Sequence, residues 1–220
     1  MECGLALTSV KYVIAHESGN PNNCGPNALE NEIAYMNRNK ANAFTSHWVG
    51  GGGKIVQVAP VGKLQYSCGP KGNPLSYAQV ELARTNDKEQ FKKDYAACIW
   101  LVRELAKEAC IPVVLDGTGN GIKSHRWITD NLKGTTHRDP YSYLASMGIT
   151  EEQFKIDIKN GLEEVKEAQE AKVMLNDAKT IPAVIIDGRT HVQVRDLAEL
   201  LGLKLVYNNE SKTTKLYEVR

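Results

Sequence analysis

The feature that most constrains this chain is a repeated switch of hydrophobic period. Lys11-Tyr-Val-Ile-Ala-His16 is an apolar run of strand length that stops at the polar cluster Glu17-Ser-Gly-Asn-Pro-Asn-Asn23, which cannot continue a strand. His16 is thereby placed at a strand end. After Pro26, which suits a helix start, Leu29, Ile33 and Met36 recur at spacings of four and three and give an amphipathic helix ending near Asn39. Phe44–Val49 and Lys54–Ala59, joined by Gly50-Gly-Gly-Gly53, read as a hairpin. Tyr77–Ala83 is a further strand, with Glu81 near its C-terminal end. Asn86, with Glu89 three residues on, reads as the N-cap of a long helix whose apolar face is Phe91, Tyr95, Cys98, Val102, Leu105 and Ala109. Pro112 closes it, a brief strand is expected at Val113–Leu115, and Ile122-Lys-Ser-His125 again ends an extended segment on a histidine. Strands alternating with helices in this way specify an α/β domain with a mixed sheet.

Thr150 with Gln153 forms a capping box for a helix carrying Phe154, Ile158, Leu162 and Val165, which runs into a highly charged stretch to Lys179. The expected organisation is therefore a domain at 1–160, a charged helical linker at 161–179, and a small α+β module at 180–220. In that module Ala183–Ile186, the turn Asp187-Gly188, His191–Val194, a short helix Asp196–Leu201 closed by Gly202, and strands from Lys204 and after Asn208-Asn209 follow one another.

Composition excludes several classes of function. With 27 basic and 26 acidic residues the net charge is +1, which supplies no long-range attraction to nucleic acid or an anionic membrane. No stretch approaches the roughly 18 apolar residues of a membrane span, and Met1–Val10 lacks a basic segment followed by an apolar run. A monomer made in the cytosol, without an export signal, is the expectation. The five cysteines are odd in number and widely spaced, which suggests buried thiols rather than a disulfide framework or a Cys-x-x-Cys zinc site. Gly50–Gly53 lacks the Lys-Ser/Thr pair and following helix of a phosphate loop.

A hydrolytic zinc is held by three protein ligands, with the remaining position open to water. His16 and His125 each end an extended segment, and Asp139 follows His125 by fourteen residues in Thr-Thr-His-Arg-Asp-Pro. Spacing alone does not separate such a site from two structural histidines and an Asp-Pro helix start. Glu81, by the same standard, reads equally as a solvent-facing strand carboxylate.

These pieces stand in an order that resembles the type 2 N-acetylmuramoyl-L-alanine amidase family, the fold shared by phage lysozyme-type amidases and peptidoglycan recognition proteins. The resemblance covers roughly residues 8–160. Tyr12-Val-Ile-Ala-His16 resembles the strand end that supplies the family's first zinc ligand, Lys123-Ser-His125 its second and Asp139-Pro140 its third. Thr45-Ser-His-Trp…Gln57-Val-Ala-Pro60 is similar to the family's "S-A-H-Y…D-G-x-I-x-Q-x-V-P" hairpin, and Ser76-Tyr-Ala-Gln-Val-Glu81-Leu82 to its "S-I-G-I-E-L" strand. The resemblance implies a mixed central sheet flanked by helices, Zn²⁺ on His16, His125 and Asp139, and Glu81 as the general acid and base. It implies hydrolysis of the bond between N-acetylmuramic acid and L-alanine in peptidoglycan, with a phage or prophage endolysin reaching the wall after holin-type release. The competing reading within the fold is a non-catalytic recognition protein, which would be expected to lack a ligand. A zinc peptidase would carry His-Glu-x-x-His, which does not occur.

His137 falls where relatives carry a lysine that stabilises the oxyanion, so a catalytic role is expected of it. His47, in the hairpin motif, is expected to line the substrate groove, and His191 to be a surface strand residue. Tyr66-Ser-Cys-Gly69 departs from the family's Trp-His-Ala-Gly, so a groove histidine is missing and Cys68 reads as a buried thiol rather than a soft ligand. The tail Val184–Gly202 resembles the stalk-type domain first named from copper amine oxidase N-termini, which implies wall attachment. With one histidine and no cysteine or methionine cluster, it does not suggest copper.

Overall fold

The computed structural model describes residues 4–162, 169–175, 179–186, 189–208 and 213–218. The chain separates into two compact units, Met1–Leu162 and Glu163–Arg220.

In the first unit a five-stranded sheet has the order β3-β2-β4-β1-β5, built from β1 (Tyr12–Glu17), β2 (His47–Gly50), β3 (Lys54–Gln57), β4 (Ser76–Leu82) and β5 (Gly121–Ser124). Only β2 and β3 pair antiparallel, as the glycine turn between them allows; β2, β4, β1 and β5 run parallel. The sheet is therefore mixed and flanked by helices, as the alternating periods specify. The Gly51–Gly53 turn has three consecutive positive φ values (61°, 87° and 92°), a path that side chains resist. The backbone N–H groups of Gly52 and Gly53 both donate to Asp94 Oδ1, which ties the hairpin to the long helix behind it.

That helix, α2 (Lys88–Glu108), is capped by Asp87, whose carboxylate accepts from the N–H groups of Glu89 and Gln90. The cap lies one residue beyond the expected Asn86, because the Asp87 carboxylate is the side chain that reaches both free N–H groups. Phe91, Tyr95, Cys98, Val102 and Leu105 are buried against one sheet face, meeting Val13, Ala15, Val49, Val80 and Leu82. Helices α4 (Tyr141–Ser146) and α5 (Glu151–Asn160) complete this layer with Tyr143, Leu144, Phe154 and Ile158. Thr150 caps α5 through Gln153 N, as the capping box requires.

On the opposite face, α1 (Ala28–Asn39) packs Leu29 and Met36 around Trp48 and Phe44, while α3 (His125–Asn131) packs Ile128 with Tyr12, Ile14 and Cys68. The two helices leave the sheet's middle uncovered at the carboxyl ends of β1 and β4, the usual location of a site on parallel strands. Val113–Leu115 is not a strand of its own. Leu115 alone bridges to Ile122, because Asp116 turns to positive φ (53°) straight after it.

In the second unit β6 (Gln169–Leu175), β7 (Lys179–Ile186) and β8 (Arg189–Val192) form an antiparallel sheet; α6 (Val194–Leu201), ended by left-handed Gly202, and the hairpin β9 (Leu203–Asn208) and β10 (Thr213–Glu218) follow. Residues 169–175, expected in a helical linker, instead form a strand. Their composition favours a helix, but Ala171 and Val173 alternate with the exposed Lys172 and Met174 and pair with Ala183 and Ile181, so cross-strand partners override local propensity. Helix α5 itself stops at Gly161 (φ 83°), and Val165, Asp187-Gly188 and Asn209 lie outside the described residues.

Candidate active site

Strand alternation decides which side chains reach the uncovered patch. His16 lies opposite Glu81 across the parallel β1–β4 pair, and Ile14 opposite Gln79, so His16, Gln79 and Glu81 share one face. His125 opens α3 directly after β5. Ser124 caps that helix, accepting from Trp127 N, and is itself held by Asp116, which accepts from Ser124 N and Ser124 Oγ, both at 2.7 Å. Asp139 sits in the loop before α4, its backbone carbonyl accepting from Arg126 N. Tyr141, two residues on, also donates to Asp116, at 2.5 Å.

These supports bring His16, His125 and Asp139 together, with ligand atoms all within 4.8 Å of one another. His16 Nδ1 lies 3.1 Å from Asp139 Oδ2 and His125 Nδ1 lies 3.1 Å from Asp139 Oδ1. Ligand atoms of a tetrahedral zinc with bonds near 2.0–2.1 Å stand about 3.3 Å apart, which the two histidine–aspartate spacings match. The protonation pattern fits as well. Gln79 Oε1 accepts from His16 Nε2 at 3.2 Å, while the Gln79 amide nitrogen donates to Asn73 Oδ1 and Gln65 O, which fixes its orientation. Thr135 Oγ1 lies 2.9 Å from His125 Nε2. With Nε2 carrying the proton, neutral imidazoles turn their Nδ1 lone pairs toward carboxylate oxygens, an arrangement that a cation between them relieves. Without a cation, rings protonated at Nδ1 donate to Asp139: burial alone would raise its carboxyl, but these hydrogen bonds from His125 and His16 outweigh it and hold the group below the usual carboxylate range. Burial lowers His125.

Glu81 is 8% exposed. Ser67 Oγ donates weakly to its Oε1 at 3.4 Å, and its buried Oε2 has no hydrogen-bond partner among the described residues. Burial, followed by the nearby charges of Asp139, Glu17 and Glu32, pushes this carboxyl well above its ordinary value. A buried carboxyl so raised, beside a candidate metal-ligand set, is suited to proton transfer. A cleft of ≈ 1080 Å³ opens over the group, with Ser67, Asn73, Thr135 and His137 among its walls.

His137 lies at the rim. Its side chain is 72% exposed, its ring stacks on that of His125 at 4.9 Å, and its Nδ1 is 4.0 Å from Asp139 Oδ1. His47 does not line the cleft. It pairs with Val80, so it faces α2 on the other side of the sheet, buried and hydrogen-bonded to Ser46 Oγ. The one-residue offset from Trp48, which pairs with Glu81, is the reason. His191 is exposed on β8. Cys68 is fully buried against Asn73 and Ser76, and burial pushes its thiol up to about 12, so it is an inert core thiol. Ser67, Gln79, Asp116 and Thr135 join the site without having stood out in the sequence. Only Gln79 carries a signal there, standing two residues before Glu81 on the same strand face.

The family profile described as N-acetylmuramoyl-L-alanine amidase matches residues 6–142, which include His16, Glu81, His125 and Asp139. The chain belongs to this amidase family. The endolysin of Listeria phage A511 is 48% identical over 156 residues, 69% of this chain and 45% of that protein. The lytic amidase of Streptococcus pneumoniae phage HB-3 is 43% identical over 157 residues, 69% of this chain and 48% of that protein. The chain thus spans about half the length of the curated relatives it matches. The crystal structure of Staphylococcus aureus hydrolase AmiA in complex with its ligand has the same fold, with TM-score 0.65 and 22% identity, over 72% of this chain and 77% of that one. Among the described residues of this family member, no helix is long and apolar enough to cross a membrane.

Proposed function

We propose that the chain is a zinc-dependent N-acetylmuramoyl-L-alanine amidase of phage or prophage endolysin type, which hydrolyses the amide between N-acetylmuramic acid and L-alanine of peptidoglycan. The observation that carries this reading is the convergence, in one cleft, of the His16, His125 and Asp139 ligand set with the unpartnered carboxyl oxygen of Glu81. Its presence favours catalysis over recognition alone.

His16, His125 and Asp139 would hold the ion. When bound, zinc supplies Lewis acidity, polarising the scissile carbonyl and lowering the pKa of water toward about 7. Glu81 Oε2 takes the proton of the attacking water and returns it to the departing L-alanine nitrogen, so water adds across the C–N bond without a covalent enzyme intermediate. Ser67 Oγ orients the other Glu81 oxygen. His137, stacked at the rim, donates to the developing oxyanion while protonated. Gln79 and Thr135 hold the two ligand rings in place.

The second unit, with its Val184–Gly202 resemblance to stalk-type domains, is assigned to wall attachment. The protein acts as a monomer on the wall after holin-type release. Mass spectrometry of purified muropeptides after digestion tests the reading. Free stem peptides with an intact L-alanine amine are expected, whereas shortened peptides still joined to muramic acid would point to a peptidase.

A further inference from the structure

Asn73 opens the short helical turn Asn73–Leu75 ahead of β4, is buried in the cleft wall and reaches toward both halves of the site. Its Oδ1 accepts from the backbone N–H groups of Ser67 at 3.2 Å and Cys68 at 2.9 Å, from Cys68 Sγ at 3.3 Å and from Gln79 Nε2 at 3.3 Å. A backbone N–H can only donate, so the two loop amides decide which end of the Asn73 side chain is the oxygen. An oxygen there requires the nitrogen end of the Gln79 amide, whose second hydrogen goes to Gln65 O at 3.4 Å. Gln79 must then offer its own oxygen to His16 Nε2, at 3.2 Å. That nitrogen has to carry a proton, whichever species faces Nδ1, and Nδ1 is left as the position open to a cation. The loop is anchored from its other end as well, because Gly72 N and Asn73 N both donate to Gly69 O, at 3.1 and 2.9 Å. Ser67, whose N–H Asn73 holds, in turn places its Oγ 3.4 Å from Glu81 Oε1.

We infer that Asn73 is a positioning residue: its carbonyl oxygen sets the direction of a hydrogen-bond relay from the Ser67 and Cys68 amides through Gln79 to His16, and so selects Nδ1 of His16 for the metal while seating Ser67 against Glu81. The consequence for the metal rests on the zinc reading of the site; the relay itself does not. No member between the loop amides and the His16 ring titrates, so the direction is built into the fold and is the same at any pH at which the fold persists. His125 is held separately, its Nε2 lying 2.9 Å from Thr135 Oγ1, and provides an internal control. A role confined to holding the loop would not distinguish the two rings.

Imidazole N–H signals of the full chain labelled with ¹⁵N-histidine, recorded with and without zinc, test this beside zinc affinity measured against a chromophoric chelator. In Asn73→Ala the His16 Nε2–H should exchange with solvent about tenfold faster, as expected for a weakened buried hydrogen bond, while the His125 signal stays as in the parent. Zinc affinity should fall by about tenfold, the low end of the range for residues that orient metal ligands. Asn73→Asp keeps an acceptor for the loop amides and Gln79 but lacks the amide nitrogen, and should restore both readouts. Adding Asn73→Ala to Gln79→Ala should cost little further affinity, because the relay is already cut. Asn73→Ser, whose hydroxyl donates as well as accepts and so removes the direction, should act in the same sense and serves if the alanine variant does not fold. An unchanged His16 signal, equal disturbance of His16 and His125, additive losses in the double variant, or no recovery in Asn73→Asp overturns the assignment. A parent chain that binds no zinc would sink the metal reading alone, since the His16 signal is read in zinc-free protein too.

Discussion

His16 and Glu81 are direct partners across the parallel pair β1–β4, so adjacent strands deliver the proposed metal ligand and the proposed proton carrier to the same face of the sheet. A one-residue slip of either strand would turn its contribution into the apolar layer under α2. That layer, with Val13, Val80 and Leu82 fully or almost fully buried, holds the register and therefore the site.

The two roles separate on mutation. Glu81→Gln should leave zinc near one per chain by plasma emission analysis, yet lower turnover on purified walls by about two to four orders of magnitude, the usual contribution of a positioned acid-base group. Undiminished turnover would remove Glu81 from the chemistry.

His16→Ala or Asp139→Ala should abolish both stoichiometric zinc and hydrolysis. Because metal binding stabilises the folded state, the melting temperature in excess zinc should fall toward that of the chelated parent. A parent chain that keeps its activity through exhaustive chelation would contradict the zinc assignment.

Much of this is legible in the sequence, and the rest is not for physical reasons. The candidate ligands are visible because each terminates or precedes an element whose signal is clear. His47 is misplaced by sequence reasoning because one strand does not reveal which of its faces meets the site; pairing of His47 with Val80 decides that, and the pairing is non-local. The stretch 169–175 carries helix-favouring residues, and only its partner strand β7 makes it extended. Asp116 carries no signal, since nothing in a glycine-rich loop announces an acceptor for Ser124 and Tyr141.

Asp116 accepts three hydrogen bonds, two from the residue before His125 and one from the residue two after Asp139. Asp116→Ala should therefore loosen both ligand segments, weakening zinc binding by about 10–100-fold, the range seen for residues that orient metal ligands. Competition against a chromophoric chelator measures this, and Asp116→Asn, which tolerates the positive φ and keeps one acceptor, should recover part of the affinity. Unchanged zinc affinity in the alanine variant would dismiss the positioning role.

Arg84 forms a two-pronged ion pair with Glu17, at 2.5 and 2.7 Å, and the Glu17 side chain is only 4% exposed. Arg84→Met should destabilise the protein by about 3–5 kcal/mol in urea unfolding, because it strands a buried carboxylate. Adding Glu17→Gln should return much of that loss. A single variant as stable as the parent would mean that the carboxylate is solvated after all.

The second unit offers a test of modularity. The three apolar clusters that surround the site draw all their members from residues before Leu162, so the first unit has its own core. A chain ending at Leu162 should fold, bind zinc and cleave soluble muropeptides at a rate close to that of the full chain. Sedimentation with intact walls should weaken, because the proposed attachment module, including the sheet of β6, β7 and β8, is gone. An insoluble product would show that the first unit depends on the second for folding. Undiminished sedimentation would place wall binding in the catalytic unit and leave the second unit without that role.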